Sequence, residues 1–274
     1  MRAVLRRHSA SRLAILMIGV LCAGGLAGCA TPPPASDPDA VADFQQTNDP
    51  LEPTNRFFYK INDGLDVVIM RPAALIYRAV VPNPVRTGIH NVLDNMGGPV
   101  RLANDVLEGK AGRASDTARR FVINTIVGVG GIFDFAKDAG IQNHDADFGL
   151  TLASWGVAEG PYLYLPVLGP SSPRDTAGFG VDSAMDPFTW IGRPSPAFTA
   201  ESYAKTGAGA LDERSRLLDA VDSIKKTALD PYATFRSLYR QNRAAKLDKL
   251  RADDRGTVPP LGTDQGTAGS STTR

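Results

Sequence analysis

The chain has 274 residues, of which 43% are hydrophobic and 22% charged, and its formal net charge is +1. Arg2, Arg6, Arg7 and Arg12 precede an apolar run that begins at Leu13, a pattern typical of a secretory signal. Without those arginines, 26 basic side chains stand against 29 acidic ones. A mature chain with a net charge of −3 argues against nucleic acid as a partner.

The apolar run ends in Leu26-Ala27-Gly28-Cys29, which resembles the cleavage site of a bacterial lipoprotein signal. The resemblance implies cleavage before Cys29 and lipidation of that cysteine; an uncleaved anchor helix with an incidental cysteine is the alternative. Ala30 after the cysteine implies sorting to the outer membrane rather than retention in the inner membrane. Cys22 leaves with the signal, so the mature chain keeps no thiol for a disulfide, a metal or a nucleophile.

Composition divides the chain into four parts. Residues 1–28 are predicted to be the signal peptide, and 29–48, rich in proline and then polar, a tether. Residues 49–250 are predicted to form one domain, because they show no repeat and no change of composition. Residues 251–274 have almost no apolar content and are predicted to be a disordered tail.

Helical spacing and helix-start signals recur along the domain. Asp49 can cap a helix, and Glu52 three residues later completes a capping-box pattern. Apolar residues then recur at helical spacing until Arg71-Pro72, where the helix is predicted to end. Tyr162-Leu163-Tyr164-Leu165 alone alternates like a strand. Further helices are predicted over 72–80, 84–96, 99–109, 115–127, 173–185, 200–227 and 231–250, the last starting at Asp230-Pro231. The sequence therefore predicts an all-α fold with little or no sheet.

The segment Phe121–Ala136 has no charge before Asp134 and contains three glycines. As a helix it would reach about 24 Å, short of the ~30 Å hydrocarbon layer. Residues 67–70, 73–77 and 148–157 are also apolar on nearly every face, so they are either central in a core or in contact with lipid. We predict short apolar elements that lie within one membrane leaflet, with a bent core helix as the alternative for Phe121–Ala136.

Patterns typical of enzymes are incomplete. His144-Asp145-Ala146-Asp147 lacks a third strong metal ligand nearby and is predicted to be a solvated loop. Gly128-Val129-Gly130-Gly131 lacks the strand and the downstream acid of a dinucleotide site. Ser202-Tyr203-Ala204-Lys205 and Ser223-Ile224-Lys225-Lys226 match a serine–lysine pattern without its other elements. The sequence predicts neither catalysis nor a cofactor or metal.

Several blocks of residues, in one order over roughly 48–250, make the chain similar to the MlaA (VacJ) family of outer-membrane phospholipid-transport lipoproteins. The proline-rich tether and the Thr/Gly-rich tail carry no family signal. The matching blocks are residues 48–56 (NDPLEPTNR), 81–86 (VPNPVR), 120–131 (RFVINTIVGVGG), 148–152 (FGLTL), 155–157 (WGV), 160–162 (GPY), 165–171 (LPVLGPS) and 174–175 (RD).

The resemblance implies a mostly helical ring of short amphipathic helices, held in the periplasmic leaflet of the outer membrane and crossed by an amphipathic channel. Phospholipids misplaced in the outer leaflet would pass through the channel to a soluble periplasmic carrier linked to an inner-membrane ABC transporter. Family members sit beside trimeric porins. No cofactor is implied.

Two sets of residues are candidates for this function. The channel and lipid-path candidates lie in the apolar segment, whose glycines would let a helix curve around an opening. The headgroup or partner-contact candidates lie along the last predicted helix, where a solvated basic face is the alternative. The first set is Phe121, Asn124, Thr125, Gly128, Gly130, Gly131 and Asp134, and the second is Arg236, Arg240, Arg243 and Lys246, followed by Lys249.

Other classes of function remain open from the residues alone. A structural outer-membrane lipoprotein that only scaffolds an assembly would bury the same apolar faces against its partners. A periplasmic hydrolase would need a nucleophile and a base, and no recognisable motif supplies them.

Overall fold

The computed structural model describes residues 49–189 and 196–253, together with positions 34, 36–38, 41 and 47. The signal peptide, Cys29 and most of the predicted tether and tail lie outside the described residues. Within them the protein is mostly helical with one two-stranded sheet, which confirms the predicted fold class.

The first two helices form one continuous rod. Helix α1 (Glu52–Leu65) runs through a π-helical turn (Asp66–Met70) directly into α2 (Arg71–Val80). The prediction that Arg71-Pro72 ends the helix is wrong. Pro72 has no N–H and its ring clashes with a preceding α-helical turn, but here it directly follows the π turn, where the regular α-helical hydrogen-bond pattern is already interrupted.

The predicted cap at Asp49 is also wrong. Leu51 occupies the N-cap position without a side-chain hydrogen bond. Asp49 is instead buried, accepting hydrogen bonds from Asn55 Nδ2 at 2.7 Å, from Arg236 Nη1 at 2.8 Å and from the Tyr232 hydroxyl. A buried carboxylate needs such donors, and the distant Arg236 and Tyr232 are not visible in a local sequence pattern.

The remaining helices follow the predicted ones closely. Two short helices were not predicted, and the predicted helix over 200–227 is interrupted at Leu217. Asp230 caps the last helix as predicted, accepting from the Ala233 amide at 3.1 Å. The helices are α3 (Asn83–Met96), α4 (Gly98–Leu107), α5 (Ala111–Ile126), α6 (Phe135–Asp138), α7 (Phe148–Ser154), α8 (Pro173–Met185), α9 (Pro196–Arg216), α10 (Leu218–Thr227) and α11 (Pro231–Ala252), with a 3-10 turn at Pro187–Thr189.

The sheet is a hairpin of β1 (Leu163–Leu165) and β2 (Gly169–Ser171), paired antiparallel with Tyr164 opposite Pro170. The hairpin lies against α1, where Asn55 donates to the Tyr162 carbonyl at 3.0 Å and accepts from the Tyr164 amide at 2.8 Å. Tyr162, Tyr164 and Tyr232 form the aromatic core at this junction.

The distribution of side chains is inverted relative to a water-soluble domain. The buried residues include many polar ones, among them Asn104, Asp105, Arg120 and Asn124. Large apolar side chains are exposed on α1, the π turn, α2, α5 and the turn that follows α5. No helix within 49–189 or 196–253 has the length and apolar character needed to cross a bilayer.

The exposed apolar surface is too extensive to be scattered single residues, so it marks a region that contacts lipid or a partner. Its members on α1 to α2 are Phe57, Ile61, Leu65, Val67, Val68, Ile69, Leu75, Ile76 and Val80, and those around the end of α5 are Val122, Ile126, Val127, Val129, Ile132, Phe133 and Phe135.

Candidate functional site

The segment Phe121–Ala136 is not one curved helix. Helix α5 ends at Ile126, a compact turn follows, and α6 begins at Phe135. The prediction that the glycines bend a helix around an opening is therefore wrong in its local geometry, because Val129, Gly130 and Gly131 have φ values of 54°, 71° and 99°. Consecutive left-handed residues cannot continue a right-handed helix.

Polar side chains from both ends hold this turn together. Arg120 Nη2 contacts both carboxylate oxygens of Asp134, at 2.9 and 2.8 Å. Asn124 donates to Asp134 at 2.8 Å and accepts from the Ala136 amide at 3.0 Å. Burial by itself would raise the pKa of Asp134, but the hydrogen bonds from Arg120 and Asn124 outweigh it, so this pKa lies below its usual value.

The three glycines of the turn have different surroundings. A Cβ on Gly131 would lie 2.7 Å from the Asn95 Cβ, and one on Gly128 would collide with the Phe133 carbonyl oxygen. Nothing lies within 4 Å of a Cβ on Gly130. Gly131 and Gly128 therefore allow a close approach, whereas at Gly130 only the backbone conformation favours glycine.

The turn packs against α3, and the last part of α5 packs against α3 and α4. Asn95 Nδ2 donates to Thr125 Oγ1 at 3.0 Å, and Asn91 Nδ2 donates to the Ile132 carbonyl at 3.1 Å. The Phe121 ring lies against Gly98, at 2.9 Å from the position of an added Cβ. Six of the seven predicted path residues are thus in mutual or bracing contact, and Gly130 is the exception; Thr125 and Gly130 are both exposed. The six are Phe121, Asn124, Thr125, Gly128, Gly131 and Asp134.

Two cavities lie along α9, and Ala210 lines both. The first, of about 400 Å³, is bounded by α3, α8 and α9. Leu93, Phe179 and Phe188 provide apolar walls, and the charged side chains are Lys205 and Asp186. Lys205 Nζ contacts Asp186 at 2.5 Å and stands 4.8 Å from the centre of the Phe188 ring.

The second cavity, of about 530 Å³, is bounded by the π turn, the β hairpin, α9 and α10. Its walls are apolar, with Ile69, Met70, Leu217, Val221 and Phe235 among them, and the hairpin residues Val167 and Leu168 form its rim. Concave apolar surfaces of this size with a few polar groups are typical of small-molecule sites.

Charged residues cluster at the polar end of the second cavity. Asp66, in the π turn, contacts Arg214 Nε at 2.6 Å and Lys225 Nζ at 2.7 Å. Burial alone would raise the pKa of Asp66, but the hydrogen bonds from Arg214 and Lys225 lower it below its usual value. Lys225 also contacts Asp63 at 2.6 Å, and Arg71 Nη2 contacts Asp222 at 2.8 Å.

The basic residues predicted on the last helix lie on α11 and line two grooves. Arg236, Arg240 and Arg243 line a groove of about 570 Å³, and Lys246 lines a separate one of about 560 Å³ with Lys249. Arg236 contacts Asp49 at 2.8 Å, and Arg243 contacts both Asp147 and Asp175 at 2.7 Å. Much of this basic run therefore holds the fold together.

Residues 144–147 lie in a loop, as predicted, and Asp145 is exposed, but the His144 side chain turns inward. Its Nε2 is 2.9 Å from Asp105 Oδ1 and 3.3 Å from Thr117 Oγ1, and the side chain is largely buried. The residues at 144–147 do not by themselves predict the contact between His144 and Asp105, because Asp105 lies buried on α4.

The cavity residues were missed by sequence reasoning. In the sequence, Lys205 stands out only as the last residue of a short serine–lysine pattern. Asp66, Arg214 and Lys225 resemble the ordinary surface charges of amphipathic helices. One signal was available for Lys205: it is followed by Thr206-Gly207-Ala208-Gly209-Ala210, a run of small residues that leaves room beside a helix.

Comparisons with known proteins agree with this architecture. The model of the MlaA lipoprotein family matches residues 47–246. The intermembrane phospholipid transport system lipoprotein MlaA of Haemophilus influenzae is 36% identical over 239 residues, covering 85% of this chain and 90% of the relative. Its namesake in Escherichia coli is 33% identical over 234 residues, covering 84% and 86%. An uncharacterised protein of Rickettsia bellii is 31% identical over 204 residues, covering 74% and 78%.

A solved structure gives the same result in three dimensions. It was described as the structural basis for maintenance of bacterial outer membrane lipid asymmetry, and it superposes with a TM-score of 0.64 at 32% sequence identity. The match covers 73% of this chain and 98% of that structure. The chain belongs to the MlaA lipoprotein family.

Proposed function

We propose that this lipoprotein removes misplaced phospholipids from the outer leaflet of the outer membrane and so maintains its lipid asymmetry. The observation that carries the proposal is the inverted burial: polar side chains inside, large apolar ones outside, and amphipathic cavities along α9. Apolar surfaces that face hydrocarbon and a polar path for a headgroup are what lipid passage requires, because an unsolvated charge in hydrocarbon is costly.

The proposed path runs along α9, from the cavity beside Lys205 to the cavity beside Arg214. Ala210 belongs to both, and the small residues before it leave space for a ligand. The turn at 127–134 lies behind α3, whose Leu93 faces the first cavity. In this proposal Phe121, Asn124, Gly128, Gly131 and Asp134 belong to the support that positions α3 and α4, while the exposed Thr125 and Gly130 remain candidates for lipid contact.

The membrane attachment belongs to the same proposal. Lipidation of Cys29 would hold the domain on the periplasmic leaflet of the outer membrane, since two or more acyl chains anchor far better than one. The partners would be a trimeric porin beside the domain and a soluble carrier linked to an inner-membrane ABC transporter. Arg236, Arg240, Arg243 and Lys246, on grooves of α11, are the candidate contacts for a headgroup or for the carrier.

A bulky substitution at Ala210 tests the path. We expect Ala210→Trp to fold and reach the outer membrane but to leave phospholipid in the outer leaflet, measured with an amine-reactive probe that does not enter cells. Ala208→Trp is the matched control, because Ala208 is an exposed residue of α9 that lines neither cavity. Full activity of Ala210→Trp would contradict the path.

A non-catalytic scaffold lipoprotein is the second candidate, favoured by the large exposed apolar surface alone. Deletion of the gene separates the two functions. Lipid passage predicts more surface phospholipid and greater sensitivity to detergent and chelator. The scaffold predicts unchanged surface phospholipid when the transporter partners are expressed normally. In either case Cys29→Ser should leave the precursor unprocessed or misrouted.

A further inference from the structure

We infer that the second cavity along α9 selects zwitterionic phospholipids, with Arg214 binding the phosphate and Glu213 binding the ammonium group of the headgroup. The inference rests on the proposed function, since it names the substrate class of the same path. Two observations carry it: which hydrogen-bonding groups at the polar end of the cavity already have a partner, and what net charge those groups carry together.

The Arg214 guanidinium has two nitrogens hydrogen-bonded to a carboxylate and a third that is hydrogen-bonded to no described residue. Its Nε and Nη2 bind Asp66 at 2.6 and 3.0 Å. Its Nη1 is buried and has no hydrogen-bond partner among the described residues, although Arg214 lines the cavity. Leaving a buried charged donor without an acceptor is costly, so this N–H group favours a ligand that brings an anionic oxygen.

Glu213 supplies the opposite charge. It is exposed, lines the same cavity, and forms no ion pair within the described part of the chain. Arg214 and Glu213 are neighbours on α9, so a donor for phosphate and an acceptor for ammonium stand side by side at the end of an apolar cavity.

The surrounding charges decide between zwitterionic and anionic lipids. Arg71, Arg214 and Lys225 are matched by Asp63, Asp66 and Asp222, so the ion-pair network itself is neutral and Glu213 leaves one negative charge over. A lipid that brings only a phosphate charge would meet this excess negative charge, whereas an ethanolamine headgroup brings a cation for Glu213 as well. Charge complementarity therefore favours the zwitterion.

The walls account for the rest of the ligand. Ile69, Met70, Leu217, Val221 and Phe235 make the cavity apolar beyond its charged end. An acyl chain can lie along these walls while the headgroup stays at Arg214. The cavity can thus hold both the apolar and the polar part of one lipid.

The test uses three soluble short-chain probes with identical chains: dihexanoyl phosphatidylethanolamine, dihexanoyl phosphatidylglycerol and dihexanoylglycerol. Binding to the full-length mature lipoprotein in detergent is measured by native mass spectrometry. We expect dihexanoyl phosphatidylethanolamine to bind about tenfold more tightly than dihexanoyl phosphatidylglycerol. This is the factor in affinity that one favourable charge interaction supplies. Equal binding of the two, or tighter binding of phosphatidylglycerol, would overturn the inference.

Two variants assign the roles. Arg214→Lys keeps the charge beside Asp66 but removes the second arm of the guanidinium, and should weaken both phosphate-bearing probes about tenfold while leaving dihexanoylglycerol unchanged. Glu213→Gln should abolish the preference for ethanolamine. Arg78→Lys is the matched control, because Arg78 forms an exposed ion pair with Asp219 away from the cavity. If Arg214→Lys binds all three probes like the wild type, Arg214 does not bind phosphate.

The inference and the proposed function can fail separately. If no probe binds the wild type, including dihexanoylglycerol, the cavity is not a lipid site and this part of the proposed path fails too. If dihexanoylglycerol binds but Glu213→Gln keeps the ethanolamine preference, the lipid path stands and the headgroup assignment is wrong. Thermal unfolding of each variant in the same detergent shows whether lost binding reflects lost folding.

Discussion

Arg120 Nη2 lies 2.8 Å from Asp134 Oδ2, and this ion pair joins the two ends of the uncharged stretch 121–133. The Arg120 side chain is 7% exposed and the Asp134 side chain 24%. Between the paired residues the chain forms the end of α5 and a turn, in which Val127, Val129 and Phe133 stand at the surface while Asn124 is buried.

The first prediction concerns this ion pair. Arg120→Met should destabilise the protein by roughly 3 kcal/mol, because it leaves a partly buried carboxylate without its cation. Urea unfolding in detergent, followed by circular dichroism, measures the change. Arg119→Met is the control: Arg119 pairs with Asp116 on the exposed side of α5, at 58% and 41% exposure, and should cost less than about 1 kcal/mol. Equal effects of the two variants would contradict the structural role of Arg120.

The second prediction separates two neighbouring glycines. Gly131→Ala should cost about 2–4 kcal/mol, because the left-handed backbone and the contact with Asn95 both disfavour a Cβ. Gly130→Ala should cost about 1–2 kcal/mol, since only its backbone conformation is strained. Thermal unfolding in the same detergent gives the order. A less stable Gly130 variant would mean that Gly130, not Gly131, makes the close approach.

The third prediction is a pH dependence set by Glu108. Burial raises the pKa of Glu108 to about 7, opposed by the hydrogen bond from Thr151 at 3.1 Å. Between its ordinary value and about 7 the folded protein keeps a proton that the unfolded chain loses, so stability falls as pH rises through this window.

Glu108→Gln should remove this loss. The gain at pH 8 should be below about 2 kcal/mol, since Glu108 is only partly buried and solvent screens its charge. At pH 4.5 the two proteins should differ little. Unfolding free energies of both proteins from pH 4.5 to 8 provide the check, and parallel curves would show that Glu108 titrates normally.

The fourth prediction concerns Val167, whose substitution should raise stability and weaken membrane binding. Val167 at the hairpin tip has φ = 67° and is 80% exposed, and its amide donates to Asn62 Oδ1 at 2.8 Å. A β-branched residue strains this conformation, which asparagine tolerates. Val167→Asn should therefore gain about 1 kcal/mol in unfolding free energy but bind liposomes about tenfold more weakly, if the tip enters hydrocarbon.

Leu168→Asn is the control for that experiment, because Leu168 is exposed beside Val167 without a positive φ. It should weaken liposome binding and bring no gain in stability. Both variants are compared by liposome sedimentation in protein produced without residues 1–29, so that neither lipid chains nor an uncleaved signal segment dominates the affinity. Unchanged binding of Val167→Asn would place the hairpin tip outside the membrane.

The local sequence determined most of the helices. Proline and aspartate start signals and apolar periodicity located α8 and α11 within about two residues of their observed ends, because these signals act over a single helical turn. The shortness of the apolar runs also follows from the sequence, and no described helix is long and apolar enough to span a bilayer. The family blocks indicated the fold and the membership that the comparisons show.

Only the tertiary structure decided which polar residues lie inside. Asp49 looks like a helix cap in the sequence, but it binds Arg236, 187 residues away, and Asp66 binds Arg214 and Lys225 across 148 and 159 residues. Pairing over such distances depends on how whole helices pack, and neither periodicity nor capping signals carry that information. Glycine content showed that residues 128–131 break regular structure, but their backbone angles and the contact of Gly131 with Asn95 were needed to distinguish a compact turn packed against α3 from a curved helix.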